Sequence, residues 1–485
     1  MTVKALSKIE RRLTVTGVLF SMSMAAMEAT IVSTAMPTVV EQLGGIEYYG
    51  WVGAVYLLTS TVSMPLYGKL SDIYGRKPIL MLSMVAFLVG SMASGFAQSM
   101  TQLIVFRAVQ GTGAGGMQPV SLTIIGDVFK PAERARMQGV FGAIWAVAAM
   151  SGPLLGGLIV HALSWRWVFF INLPFGLVSM LLISAFFHEH KTAHRHTLDV
   201  AGAAALAGAV VALLLGTSRF AAQRMLPLAV LLLGAFVAIE SRAREPVLSL
   251  ALLRRPIMRV SSVAGAAIGA VLSATVIYLP LYVQAILEGT PTQAGATVSP
   301  MLLGWPIASA IGGRYITRIG YGPLVRGGFL VVALASTALA LLLRSGASAT
   351  VLGTTMFIMG CGMGVANSAL LIAVQASCTW QERGVATASA LFFRTIGGAI
   401  AVGALGALLA AGMGPSIPAS LLNRLLAPDH GSALDPALTA RLFAALRAGL
   451  HHVFDVIGLV SLAALAAALF FPAHTHAPEE PTAAA

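Results

Sequence analysis

Charge is scarce in this chain. Of 485 residues only 10% are Asp, Glu, Lys or Arg, against about 25% in soluble globular domains. Acids are the scarcest group, 18 against 30 Lys and Arg. A chain that is 57% apolar, with a mean hydropathy of +0.86, reads as an all-α integral membrane protein and not as a soluble domain. Cysteine is nearly absent. Cys361 lies inside one apolar segment and Cys378 just after it, a placement that fits neither a disulfide framework nor a thiolate metal site. Gly-x-x-x-x-Gly-Lys-[Ser/Thr] and His-Glu-x-x-His are missing too, so nothing points to a nucleotide-driven or hydrolytic enzyme. The net charge of +12 could suggest nucleic acid, but the basic residues are scattered between apolar spans with no aromatic-basic platform. Membrane topology explains them better.

Long apolar runs stand in place of charge. A window of about 19 residues finds fourteen, from 13–39 to 452–472, the shortest being 199–217 and 225–240. Their continuity favours helices over the alternating strands of a barrel. With the N-terminus inside, 21 of the 30 basic residues face the cytoplasm, an excess of roughly three to one over the outer side. Both termini are then cytoplasmic and the protein sits in the cytoplasmic (inner) membrane. Lys4, Lys8, Arg11 and Arg12 precede a run too long for a signal-peptide core, so the first helix is expected to be retained.

A weak repeat divides the chain. Glu133-Arg134 precedes the fifth span and Glu382-Arg383 the thirteenth; Gly68-Lys69 closes the second span and Gly312-Gly313-Arg314 the tenth. The expected division is a six-helix half at 1–190, an inserted helix pair with linkers at 191–258, and a six-helix half at 259–485 carrying an outer loop at about 412–450. Six-helix halves with a site between them are a common transporter plan. Within the loop, Asp435-Pro436 followed by Leu438, Leu442, Phe443 and Leu450 predicts an interfacial amphipathic helix. His188, His190, His194 and His196 crowd the linker after the sixth span. A short hydrated loop explains them without a metal.

Against this background one residue stands out. Glu28 lies deep in the first span and is the only acid expected far inside the membrane; Glu240, Glu288 and Asp455 fall near span ends. A carboxylate there costs several kcal/mol unless it is paired, hydrated or protonated, which makes it a candidate functional group by default. Arg107, in the fourth span, keeps its proton and must find acceptors or water. The loop Gly68-Lys69-Leu70-Ser71-Asp72-Ile73-Tyr74-Gly75-Arg76-Lys77 can reverse tightly, cap a helix through Asp72 and pair Arg76 with a neighbouring acid, Asp127 being the expected partner. In the fifth span, Gly152-Pro153-Leu154-Leu155-Gly156-Gly157 combines a missing backbone donor with a Gly-x-x-x-Gly face for close packing.

These stretches resemble the signatures of the major facilitator superfamily. Gly68 to Lys77 is similar to its motif A, Arg107-Ala108-Val109-Gln110-Gly111 to motif B, and Gly152 to Gly157 to motif C, the antiporter signature. Glu28-Ala29-Thr30-Ile31-Val32 with Ala35-Met36-Pro37, and Trp165 to Gly176, resemble the fourteen-helix drug/proton antiporter branch (EmrB/QacA type), although Glu28 stands where that branch usually has Asp. The resemblance implies a proton-driven exporter of apolar or cationic small molecules, working as a monomer with the proton as coupling ion and no other cofactor. It assigns Glu28, Arg107 and Gln110 to proton coupling and substrate, Gly68, Asp72, Gly75, Arg76 and Asp127 to gating, and Gly152, Pro153, Gly156 and Gly157 to the antiporter motif. Arg394 and Asp455 are secondary candidates, because the C-terminal half lacks the deep acid some members carry. Export of one endogenous metabolite, siderophore or lipid is the alternative; a sensor without transport is remote.

Overall fold

A computed structural model describes residues 7–44, 48–189, 199–216, 222–243, 246–413 and 436–472. The elements among them are helical. Helix α1 (Lys8–Leu43) opens on a capping box: the Glu10 amide donates to Ser7 Oγ at 3.2 Å and the Ser7 amide to Glu10 Oε2 at 2.8 Å. Next come α2 (Tyr49–Tyr74) and α3 (Arg76–Gly95), joined through Gly75 alone at φ 99°. Only glycine takes that backbone conformation without strain. Gly320, at φ 77°, makes the same one-residue join between α12 (Pro291–Ile319) and α13 (Tyr321–Arg344). The two joins share one backbone geometry.

Helix α4 (Met100–Val128) is a wedge. A Cβ at Gly111 would strike Tyr56 and Thr59 of α2, and one at Gly115 would strike Ser60 and Ser63. Gly113 faces the other way, onto the backbone of Ser83 and Phe87 in α3. In lipid, where apolar burial hardly drives helix pairing, such small-residue faces supply the close packing. Helix α5 (Pro131–Ala162) starts on a proline, whose missing amide is no loss in a first turn. It packs on α1, while a short α6 (Trp167–Phe170) and α7 (Asn172–Phe186) lean on α1 and α3. Helices α8 (Val200–Gly216) and α9 (Ala222–Glu240) pack on one another, with α8 reaching α2.

The second set begins with α10 (Leu250–Arg254) and α11 (Pro256–Ala285) and continues past α13 with α14 (Ala349–Ala376), a 3-10 turn (Trp380–Glu382), α15 (Arg383–Met413) and α16 (Pro436–Leu469). Within it α11 packs on α15 and α16, and α14 on α12 and α13. The two sets meet where α5 lies on α12 and where α2 and α4 lie on α15. Nine helices among the described residues are long and apolar enough to cross a membrane.

One expectation is corrected here. The helix begun at Pro436 does not lie apart as an interfacial segment: it runs unbroken into the last span. Leu442, Leu446, Leu450, Val453, Phe454 and Ile457 recur on one face and are buried in a cluster shared with α11 and α13. Continuous burial of that stripe wins over a separate surface helix. Asp435, its expected cap, lies outside the described residues.

Candidate functional site

Glu28 and Arg107 are both fully enclosed, at 1% and 2% exposure. Arg107 Nη1 pairs with Glu28 Oε1 and also donates to Gln110 Oε1 at 2.8 Å; its Nε donates to the Val52 carbonyl at 3.3 Å. The guanidinium carbon stands 4.2 Å from the centre of the Tyr56 ring and 5.9 Å from that of Phe169. On the far side Asn172 Nδ2 donates to Glu28 Oε2 at 2.7 Å and to Ser91 Oγ at 3.0 Å, and Ser91 Oγ donates to the Phe169 carbonyl at 2.9 Å. Two ions taken from water each cost several kcal/mol, and only good geometry with further hydrogen bonds offsets that. Here both carboxylate oxygens have a donor.

The partners also fix the depth. Val52 is the fourth residue of α2, Arg107 the eighth of α4 and Asn172 the first of α7. At 1.5 Å per residue the pair sits within about 10 Å of the end where these helices begin. Asn172 and Tyr56 escaped the sequence reading. An amide opening an apolar helix was the available signal for Asn172; Tyr56 gave none.

A second polar assembly closes the opposite end. Arg76 is fully buried: its Nε donates to Asp127 Oδ2 at 3.1 Å, its Nη2 lies 2.8 Å from Asp72 Oδ1 and donates to the Trp380 carbonyl at 2.5 Å, and its carbon stands 3.6 Å from the centre of the Trp380 ring. Asp72 reaches across to α15, accepting from the Gly384 and Val385 amides at 2.8 and 2.7 Å. Those amides open a helix and carry the positive end of its dipole. Arg383 Nη1 donates to the other oxygen of Asp127 at 2.5 Å. Gly75, at the turn, lets the carboxylate of Glu189 approach, which accepts from the Arg76 and Lys77 amides at 3.0 and 3.1 Å. Gly68 sits against Gly384 and Ala388 with no room for a Cβ. Asp127 thus binds two cations, one from each set of helices. Trp380 and Glu189 were not singled out in the sequence, and Arg383 only as a mark of the repeat, because nothing local marks which loop a distant helix start will face.

The remaining candidates fall elsewhere. A Cβ at Gly152 would collide with Thr30 and one at Gly156 with Thr34, so α5 lies directly on the segment of α1 that carries Glu28; Gly157 faces open space and Pro153 lies within α5. Thr30 Oγ1 also donates to the Ala148 carbonyl at 3.1 Å. Arg394 lies on α15 and donates to Asn367 Oδ1 at 3.4 Å, outside the Glu28 assembly. Asp455, in the middle of α16, pairs with Arg344 at 2.5 Å, Arg344 exposed and Asp455 partly so, and joins neither assembly. His188 is exposed, His190, His194 and His196 lie outside the described residues, and no group of three metal-binding side chains occurs among the described residues.

The sequence profile described as Major Facilitator Superfamily matches residues 18–402. The chain is 35% identical over 411 residues to the multidrug transporter protein MdtP of Bacillus subtilis (strain 168), covering 83% of this chain and 76% of that one. It is 33% identical over 396 residues to multidrug resistance protein 3 of the same strain, covering 79% and 76%. To the efflux pump dotC of Dothistroma septosporum it is 30% identical over 411 residues, covering 80% and 69%. Among solved structures, the human organic anion transporter MFSD10 (TETRAN) superposes with a TM-score of 0.62 at 18% identity, covering 94% of this chain and 99% of that one. The proton:xylose symporter XylE does so at 0.61 and 13%, covering 94% and 95%. At such identities the likeness shows the fold alone.

Two outcomes follow from the geometry. Arg107→Met strands a buried carboxylate and is expected to cost about 3–5 kcal/mol; adding Glu28→Gln should recover more than half of the lost thermal stability in detergent. A double variant no more stable than Arg107→Met would contradict the pairing. At the other end, Asp127→Asn removes the negative charge shared by Arg76 and Arg383 and leaves one acceptor oxygen for the two cations. Spin labels at exposed Tyr74 and Gln381 should then show a longer-distance population by electron double resonance, and an unchanged distribution would argue against the latch.

Proposed function

Because the chain belongs to the Major Facilitator Superfamily, we propose that this multi-pass membrane protein is a proton-driven exporter of apolar, amphipathic or cationic compounds. The fourteen-helix architecture, two six-helix halves with α8 and α9 inserted between them, is part of the same proposal, as are the inner membrane and the cytoplasmic termini. The relatives named as multidrug transporters and an efflux pump support export as the direction. One observation carries the coupling: the enclosed Glu28–Arg107 pair is the place in the first helix where a proton can replace an ion-pair partner.

The steps follow from electrostatics. With Glu28 ionised, Arg107 holds α1 against α4 and the charges cancel. When Glu28 takes a proton, that attraction between charges is lost, and Arg107 keeps the Gln110 amide oxygen, the Val52 carbonyl and the Tyr56 and Phe169 rings. Helix α1 is then free to shift along α5, where Gly152 and Gly156 seat Thr30 and Thr34. A cationic substrate could compete for Glu28 only by displacing Arg107, so a proton and a cation exclude one another there. The 72–76–127–383 latch, at the end assigned to the cytoplasm by its basic loops, is closed in this state. Opening it exchanges charged hydrogen bonds between the two sets for water, at a cost that a rearrangement of the halves has to meet.

The test is efflux from proteoliposomes loaded with a panel of cationic and neutral compounds, with and without a proton gradient. Glu28→Gln should bring gradient-driven efflux down to the ungated background while the protein still folds and inserts. Undiminished gradient-driven efflux by that variant would remove Glu28 from the coupling.

A further inference from the structure

The spanning core holds one more charge, and it is not balanced by an acid. Arg394 lies on α15, about 16 Å along the helix from its start, and it forms no ion pair among the described residues. Its one hydrogen bond, to Asn367 Oδ1, is 3.4 Å long and engages one of five donors. Glu28 and Arg107 cancel one another, so the deep charge is left at one positive unit. A guanidinium cannot shed that charge at ordinary pH, and within a membrane it needs a counter-charge or water.

What faces Arg394 is a small built cavity, about 20 Å³, lined by Ser261 and Gly265 of α11, Asn367 and Leu370 of α14, and Leu391 of α15. Ser261 is 3% exposed and its Oγ has no hydrogen-bond partner. A buried hydroxyl left without a partner costs about 1–3 kcal/mol, so it calls for a ligand. The cavity keeps its shape because α11 and α15 touch through their main chains: a Cβ at Gly269 would strike the Arg394 carbonyl, and one at Gly397 would strike the backbone of Ala266. Hydroxyl, amide and guanidinium line the same small cavity, beside the leucines. The volume admits a single small group and no whole drug molecule.

We propose that Arg394, Asn367 and Ser261 form a site for one small monovalent anionic group, either a free halide or the carboxylate of an exported compound. The Arg394 guanidinium supplies the charge. Ser261 Oγ donates the hydrogen bond it lacks, and Asn367 turns its amide nitrogen toward the anion as its oxygen is released. The carboxylate form rests on the export reading above, and it widens the substrate class to amphiphiles bearing an acid as well as a base. The halide form is independent of transport.

The experiment is binding by the purified full-length protein in detergent, read as thermal stability while sodium chloride or sodium acetate is titrated. Comparing wild type with Arg394→Gln at each concentration cancels general salt effects. A saturable rise on the order of 3 °C is expected in wild type. It should be retained by Arg394→Lys, reduced by Ser261→Ala and absent in Arg394→Gln. If both salts produce it and compete, the site accepts a carboxylate; if chloride alone does, the site is for free halide and the substrate form of the proposal is refuted. A response equal in wild type and Arg394→Gln, or no saturable response to either salt, overturns the site. Since no proton gradient enters the measurement, its failure leaves the coupling role of Glu28 untouched, and failure of the Glu28→Gln efflux test leaves this site standing.

Discussion

An acid and a base shut away from water constrain everything around them. Neither Glu28 nor Arg107 is buried cheaply alone, since an unpaired ion in such surroundings costs several kcal/mol, a large share of a folded protein's margin of about 5–15 kcal/mol. The pair therefore dictates where α1 meets α4, and the amide of Asn172 and the carbonyl of Val52 dictate in turn where α7 and α2 begin. The glycines of α4 and α5 serve the same constraint: only without side chains can those helices come close enough for short polar groups to reach one another.

The two polar assemblies stand at opposite ends of one scaffold and differ in kind. At Glu28 the members all come from helices α1 to α7, so a change of protonation acts first within that set. At Asp127 the members come from both sets, and Asp72 spans the gap to the first amides of α15. Helix α4 carries Arg107 near its start and Asp127 near its finish, so it joins the two assemblies. In the proposed cycle this helix is the shared lever.

How much of this could be read from residues alone depended on range. Glu28 stood out because hydropathy makes an acid conspicuous in an apolar run, and Arg76 and Asp127 because loop and helix-end charges need partners. The helical character followed from the length of the runs, but the one-residue glycine joins did not: the second span was expected to close at Gly68-Lys69, and its helix runs on to Tyr74. What stayed hidden was long-range. Trp380 and Arg383 look like an ordinary loop, and Asn172 like the end of an aromatic stretch, until folding brings them to Arg76, Asp127 and Glu28. The separate interfacial helix near residue 440 failed because local amphipathicity cannot tell a membrane surface from the flank of α11 and α13. Arg394 was visible as an oddity, but the unpartnered hydroxyl of Ser261 beside it was not.

The central claim is that Glu28 itself exchanges a proton while Arg107 lets go of it. Infrared difference spectroscopy on the reconstituted protein, between neutral and acid pH, reads that event directly. The account predicts a protonated-carboxyl C=O band that appears on acidification, shifts when a transported cation is added and is missing in Glu28→Gln. A spectrum with the same band in Glu28→Gln, or with none in wild type across the pH range that drives transport, would contradict it.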